Sequence, residues 1–186
     1  MRCKVILIKS IILYGSHYGS SRRYAQKLSE QTNIPAVCYK DTPSLSDKNP
    51  IIYLGSMYAG GILELKKTLH GFSLRDRQKL ILVTVNLSDP ELQENQKNIR
   101  RSLQKQLPAE LYNKAKIFHL QGPINYQKLS LLHQTMMLHR SLQNKSAEKW
   151  NKEDQAFIET YDKQGDFVDF DALQPIIDEI KKDITA

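Results

Sequence analysis

The run KLILVTV at residues 79–85 constrains the fold more than any other stretch, because its apolar residues follow one another without alternating with polar ones. A strand with one wet face alternates; a continuous β-branched run suits a strand covered on both faces, as in a parallel sheet. Similar runs recur at Ile11–Tyr14, Ala36–Tyr39, IIYLG at 51–55 and KIFHL at 116–120. Between and after them lie helical segments, expected at Ser21–Gln31, Gly61–Leu69, Pro90–Leu107, Tyr126–Gln143 and Ala172–Lys182. Asp89, Pro90 and Glu91 stand in the order that opens a helix: a cap, a residue with preset φ, then an early carboxylate. Alternation of strand and helix predicts an α/β doubly wound sheet of five parallel strands with helices on both faces, joined by right-handed crossovers. A length of 186 residues fits one domain over 1–186, with 1–10 either lengthening the first strand or forming an extension. The charged stretch 144–170 breaks the pattern and reads as an excursion over the surface.

Charge narrows the partners without choosing one. Lys and Arg number 27 against 20 Asp and Glu, a net charge of +7. That excess attracts phosphate esters, acidic membrane surfaces or nucleic acid alike. The lysine-rich stretches lack aromatic interleaving, so no nucleic-acid partner is expected. Cys3 and Cys38 lack CxxC spacing and read as reduced thiols, which gives the expectation of a cytoplasmic protein. Lys9 and Ser10 interrupt the N-terminal apolar run and no small-residue cleavage site follows, so no targeting segment is expected. His17, His70, His119 and His139 show no metal-ligand spacing, and no metal is expected.

In a doubly wound sheet, ligands collect outside the carboxyl ends of the strands, where the strand order reverses. Three turns meet there: Gly15–Ser21, Gly55–Gly61 and Asn86–Asp89. The first, GSHYGSS, offers Ser16, Ser20 and Ser21 as hydroxyl donors and Gly15 and Gly19 as flexible points at a helix start, the needs of a phosphate site. Arg22 and Arg23 fall in the first helical turn, where positive charge opposes the helix dipole unless an anion is bound. A serine-rich capped turn with exposed arginines is the plainer alternative. No Gly-Lys-Ser/Thr and no GxGxxG follows, which excludes a Walker A loop and a dinucleotide fingerprint and favours a mononucleotide.

YGSHYGSSRRYAQKL resembles the FMN-phosphate loop of the flavodoxin superfamily: Ser16, Gly19 and Ser21 match its pattern, and Tyr18 replaces the usual threonine. LGSMYAGGI, VTVNLSDPE, FHLQGPINYQKLSLLHQTMM and GDFVDFDALQPIIDEI are similar, in order and spacing, to flavodoxin-domain proteins akin to the quinone-dependent protoporphyrinogen oxidases. The resemblance runs from Ile11 to near the end of the chain. It implies FMN as cofactor, with Ser16, His17, Tyr18, Gly19, Ser20 and Ser21 around its phosphate. Ser56, Met57, Tyr58 and Ala59 would lie along the isoalloxazine ring, and Asn86, Leu87 and Ser88 on its far side. A second stacking aromatic and extra carboxylates, usual in electron-carrier flavodoxins, are missing here.

Two functions follow: an FMN-dependent oxidoreductase that passes reducing equivalents from an organic donor to a quinone, or a flavodoxin-type carrier whose partners are redox proteins. Carriers of that type are usually acidic, which sets the net charge against the second. A scaffold with the fold and no cofactor is a third reading, motivated by Tyr18. No catalytic side chain is nominated, since the flavin carries the chemistry. Tyr126, Leu129, His133, Met136 and Arg140 share a helical face that suits a quinone, a carboxylated porphyrin or a peripheral membrane contact, and equally suits a core stripe.

Overall fold

A computed structural model describes residues 10–16, 19–58, 61–86, 93–122 and 168–185. Strand β1 (Ile11–Gly15) leads into helix α1 (Ser20–Thr32), then β2 (Ala36–Cys38), β3 (Ile51–Tyr58) and a two-residue strand β4 (Gly61–Ile62). A single helical turn α2 (Leu65–Thr68), strand β5 (Leu80–Asn86), helices α3 (Gln93–Gln106) and α4 (Ala109–Lys114), strand β6 (Lys116–Gln121) and helix α5 (Gln174–Thr185) complete the described chain. The sheet order is β2-β1-β3-β5-β6, every neighbouring pair parallel, with β4 pairing antiparallel to β3. This is the flavodoxin-like α/β order, and its direction reverses between β1 and β3.

Period-two geometry sorts each strand onto two cores. Ile11, Leu13, Ile51, Tyr53, Leu80 and Leu82 face one side, packed with Ile62 and Leu65, with Ile99 and Leu103 of α3, with Leu111 of α4 and with Leu107 between those two helices. Ile12, Ile52, Leu54, Ile81, Val83 and Val85 face the other, against Tyr24, Ala25 and Leu28 of α1 and Ile176, Ile177 and Ile180 of α5. Each such aliphatic side chain contributes about 1.5–3 kcal/mol by leaving water. Residues 80–85 of β5 are buried throughout, which is why that run carries no polar alternation.

Differences from the sequence expectation lie mainly in the second crossover. Gly61–Leu69 was expected as a helix; instead β3 runs on to Tyr58 and the chain folds back as β4 before its one turn of helix. Long-range contacts decide this. A Cβ at Gly55 would overlap the Ile62 side chain, so glycine there lets β4 lie against the sheet. Gln106 then completes the open edge of β4: its Oε1 accepts the Ile62 N–H at 2.8 Å and its Nε2 donates to the Ile62 carbonyl at 3.3 Å. Helix α4 was not expected; Pro108 separates it from α3, and its six residues are too few for a periodic signal. Tyr39 ends no strand but opens a 3₁₀ turn, Tyr39–Asp41. The expected helix at Tyr126–Gln143, with its Tyr126, Leu129, His133, Met136 and Arg140 stripe, lies outside the described residues, as does 144–167.

Candidate functional site

Strands β1, β3 and β5 end side by side, their last paired residues being Gly15 with Gly55 and Ser56 with Val85. At β1 the chain leaves through Ser16, whose Oγ accepts the Gly19 N–H at 3.0 Å and closes a tight turn. Gly19 has φ 97°, a left-handed value that favours glycine, and it forms the N-cap of α1 without any side-chain cap. The helical ladder starts with Arg23 N–H donating to the Gly19 carbonyl at 3.0 Å. The N–H groups of Ser20, Ser21 and Arg22 therefore precede the ladder and point toward the turn, and the first helical turn holds no carboxylate.

The serines behind that turn divide their work. Ser20 is buried against Gly122, where an added Cβ would come within 3.3 Å of the Ser20 Oγ. Ser21 is fully buried, and its Oγ lies 2.7 Å from the Ser56 Oγ of β3, a hydroxyl pair that locks the start of α1 to the sheet. The Tyr24 hydroxyl donates to the Gln121 carbonyl at 2.7 Å and accepts the Asp169 N–H at 3.0 Å, tying α1 to the end of β6 and to the segment before α5. The Arg23 guanidinium stands 5.9 Å from the centre of the Phe170 ring, while Arg22 is exposed.

On the opposite flank of β3 the polar groups are not matched. Asn86 ends β5; its backbone carbonyl accepts the Gly122 N–H at 2.7 Å, yet both its side-chain oxygen and nitrogen are buried with no partner among the described residues. Two residues earlier on the same face, Thr84 is fully buried with its Oγ1 2.8 Å from Nδ1 of His119, its cross-strand neighbour on β6. His119 Nε2 is also buried with no partner among the described residues. Burial, with the Arg100 guanidinium as a lesser cause, pulls the imidazole down from 6.5 to about 4, so it is neutral at physiological pH. If the Thr84 hydroxyl donates to Nδ1, the imidazole proton sits on Nε2. Each unmatched buried polar atom costs about 1–3 kcal/mol.

These findings locate the residues expected from sequence. Ser16, Gly19, Ser20 and Ser21 gather at the start of α1; Ser56 and Met57 belong to the extended β3 rather than to a loop, Ser56 turned to α1 and Met57 packed on the hairpin side. Tyr58 closes β3. His17, Tyr18, Ala59, Leu87 and Ser88 lie outside the described residues. Asn86 stands at the strand terminus. Gln106, Gly122 and Tyr24 were not singled out from sequence; only the bulk a Cβ would add, or a tertiary hydrogen bond, reveals them. The Tyr53 phenol is likewise structural: buried, pushed far above its ordinary range by that burial, and donating to the Leu63 carbonyl at 2.7 Å. Among the described residues no three His, Cys, Asp or Glu side chains gather to hold a metal ion, and no helix is long and apolar enough to cross a membrane.

Structural comparison finds likeness to a putative flavoprotein from Bacteroides uniformis, at 14% identity over 61% of this chain and 90% of that one, with a TM-score of 0.46. Flavodoxin 1 from Bacillus cereus in its oxidised form is similar at 14% identity, 63% and 87% coverage and a TM-score of 0.42. A flavoprotein from Lactobacillus acidophilus, solved in complex with FMN, is similar at 11% identity, 61% and 91% coverage and a TM-score of 0.41. A comparison with curated protein sequences found no match. The sequence profile of the flavodoxin domain matches residues 11–151, the greater part of the chain. The chain belongs to the flavodoxin-domain family.

Proposed function

We propose that the protein binds FMN across the carboxyl ends of β1, β3 and β5 and acts as an oxidoreductase that passes reducing equivalents from an organic donor to a quinone. The observation that carries this reading is the Asn86 amide, buried with neither of its polar atoms paired among the described residues, at the end of a strand that neighbours β3. An amide in that condition calls for a ligand group that offers both a donor and an acceptor, which the polar edge of an isoalloxazine ring does. On the other flank of β3, the uncapped N–H groups of α1, the Ser16 hydroxyl and exposed Arg22 suit a phosphate monoester. The residues present thus fit FMN at both of its polar ends.

Bound there, FMN supplies two-electron transfer between an organic donor and an acceptor. The chain's own part is to bind and orient. Ser16 shapes the phosphate turn by accepting the Gly19 N–H, and its hydroxyl hydrogen remains for the anion. The Ser21–Ser56 pair fixes the distance between that turn and β3, and Asn86 holds the ring edge. The absence of a carboxylate in the first turn of α1 and the net charge of +7 favour an enzyme that meets an uncharged or anionic organic substrate over an acidic electron carrier. The same charge favours attraction to an acidic membrane surface, where lipophilic quinones reside.

Reductive titration of the flavin-loaded protein, followed by a menaquinone analogue, tests the reading. An oxidoreductase takes up two electrons in one spectral step and is rapidly reoxidised by the quinone. Two separated one-electron steps with slow quinone reoxidation would assign the protein to the carriers instead.

A further inference from the structure

We infer that the protein carries a second anion site, distinct from the turn at the start of α1, in the cleft between residues 39–46 and 67–75. This cleft has a volume of about 810 Å³ and includes Lys40, Lys67, His70 and Arg75 in its lining, with no Asp or Glu among its lining residues. None of its lining belongs to the β1–α1 turn, to Ser56–Tyr58 or to Asn86.

The cations are largely unspent. Lys67 has a long contact, 3.9 Å, with the Glu64 carboxylate. Lys40 lies 6.0 Å from the centre of the Tyr39 ring and makes no ion pair with a carboxylate, and neither do His70 or Arg75 among the described residues. Gathering like charges around a concave surface whose lining carries no carboxylate raises the local potential and concentrates anions there. The β2–β3 link with Lys40, the helix α2 with Lys67, and the α2–β5 link with His70 and Arg75 bring these charges together. Leu45 and Leu74, both buried in the core, anchor the two segments, so the cleft is built on fixed backbone. Gln78 reinforces it, its Nε2 donating to the Leu45 carbonyl at 2.8 Å and the Lys48 carbonyl at 2.9 Å.

The donor set selects the ligand chemistry. Lysine and arginine with hydroxyl groups such as Ser73 suit phosphate oxygens, and several cations spread over one cleft suit more than one phosphate charge. The ligand class is therefore a phosphate-bearing polyanion, whether a soluble polyphosphate compound or the headgroup of an anionic phospholipid.

The test uses the full chain with two probes: inorganic tripolyphosphate by calorimetry, and vesicles of equal parts phosphatidylglycerol and phosphatidylcholine by co-sedimentation. Binding of tripolyphosphate alone assigns a soluble ligand; binding of the vesicles, absent with phosphatidylcholine alone, assigns a headgroup. In either case the double variant Lys40→Glu/Arg75→Glu should weaken binding roughly tenfold or more. The double variant Lys97→Glu/Lys105→Glu, which makes the same change in net charge on exposed positions of α3, should not. Lys40→Gln/Arg75→Gln serves where charge reversal disturbs folding. Binding of neither probe, or equal loss in the cleft and α3 variants, would overturn the inference, and neither result bears on FMN.

Discussion

The two flanks of β3 solve the same problem in opposite ways. Toward α1, the buried Ser21 and Ser56 hydroxyls meet each other at 2.7 Å, and Tyr24 both donates and accepts. Toward β5 and β6, Thr84 reaches His119, but among the described residues three buried polar atoms of Asn86 and His119 have no partner. The first flank is complete in the protein by itself. The second bears a cost of about 1–3 kcal/mol for each unmatched atom, which under the proposed function a bound flavin would offset. Under the proposed function, stability concentrates on one side of the strand and ligand demand on the other.

Substitutions that exchange these roles test the contrast. The largest effect is expected from Ser21→Val, which adds bulk at a fully buried position and orphans the Ser56 hydroxyl. It should destabilise the fold by about 2–3 kcal/mol in urea unfolding. The matching change on the other flank, Thr84→Val with His119→Phe, removes both partners of a buried hydrogen bond along with the unmatched Nε2. The expected outcome is no loss, or a gain of about 1 kcal/mol, in the same assay. Equal destabilisation by the two changes would erase the distinction between the flanks. Asn86→Leu should likewise leave the FMN-free protein as stable or about 1 kcal/mol more so, while abolishing flavin uptake measured by fluorescence quenching.

A smaller effect comes from pH. The folded-state His119 titrates at about 4 against 6.5 for the exposed side chain, so the unfolded chain takes up the proton first as pH falls. Its contribution to stability is fully present above pH 6.5 and is lost progressively toward pH 4. Unfolding midpoints measured across that window should fall in the native protein and fall less in the Thr84→Val/His119→Phe variant. Parallel curves would show that His119 is not the group responsible.

Much of this was legible in the residues. The unbroken apolar run of β5 signalled a strand covered on both faces, and the GSHYGSS turn signalled where the first helix starts. The second crossover was illegible because its conformation is decided from outside it: Gln106, 44 residues along the chain from Ile62, completes the β4 edge, and Gly55 makes the room. The division of labour among the serines was equally hidden. Composition presents Ser16, Ser20 and Ser21 as equivalent hydroxyls, whereas helical geometry turns Ser21 inward to Ser56 and leaves Ser16 beside the turn. Nor does any spacing rule show that Asn86 is unpaired, since that depends on what its neighbouring strands fail to offer.

Under the proposed function, the start of α1 grips a phosphate while β3 and Asn86 carry the ring. Calorimetric titration of the flavin-free protein with FMN and, separately, with riboflavin tests it most directly, because the two ligands share the ring and differ in the phosphate. The account predicts tight uptake of FMN and riboflavin binding weaker by roughly a hundredfold or more, as loss of a charge-assisted phosphate contact implies. Equal affinity for the two, or no uptake of FMN, would contradict it.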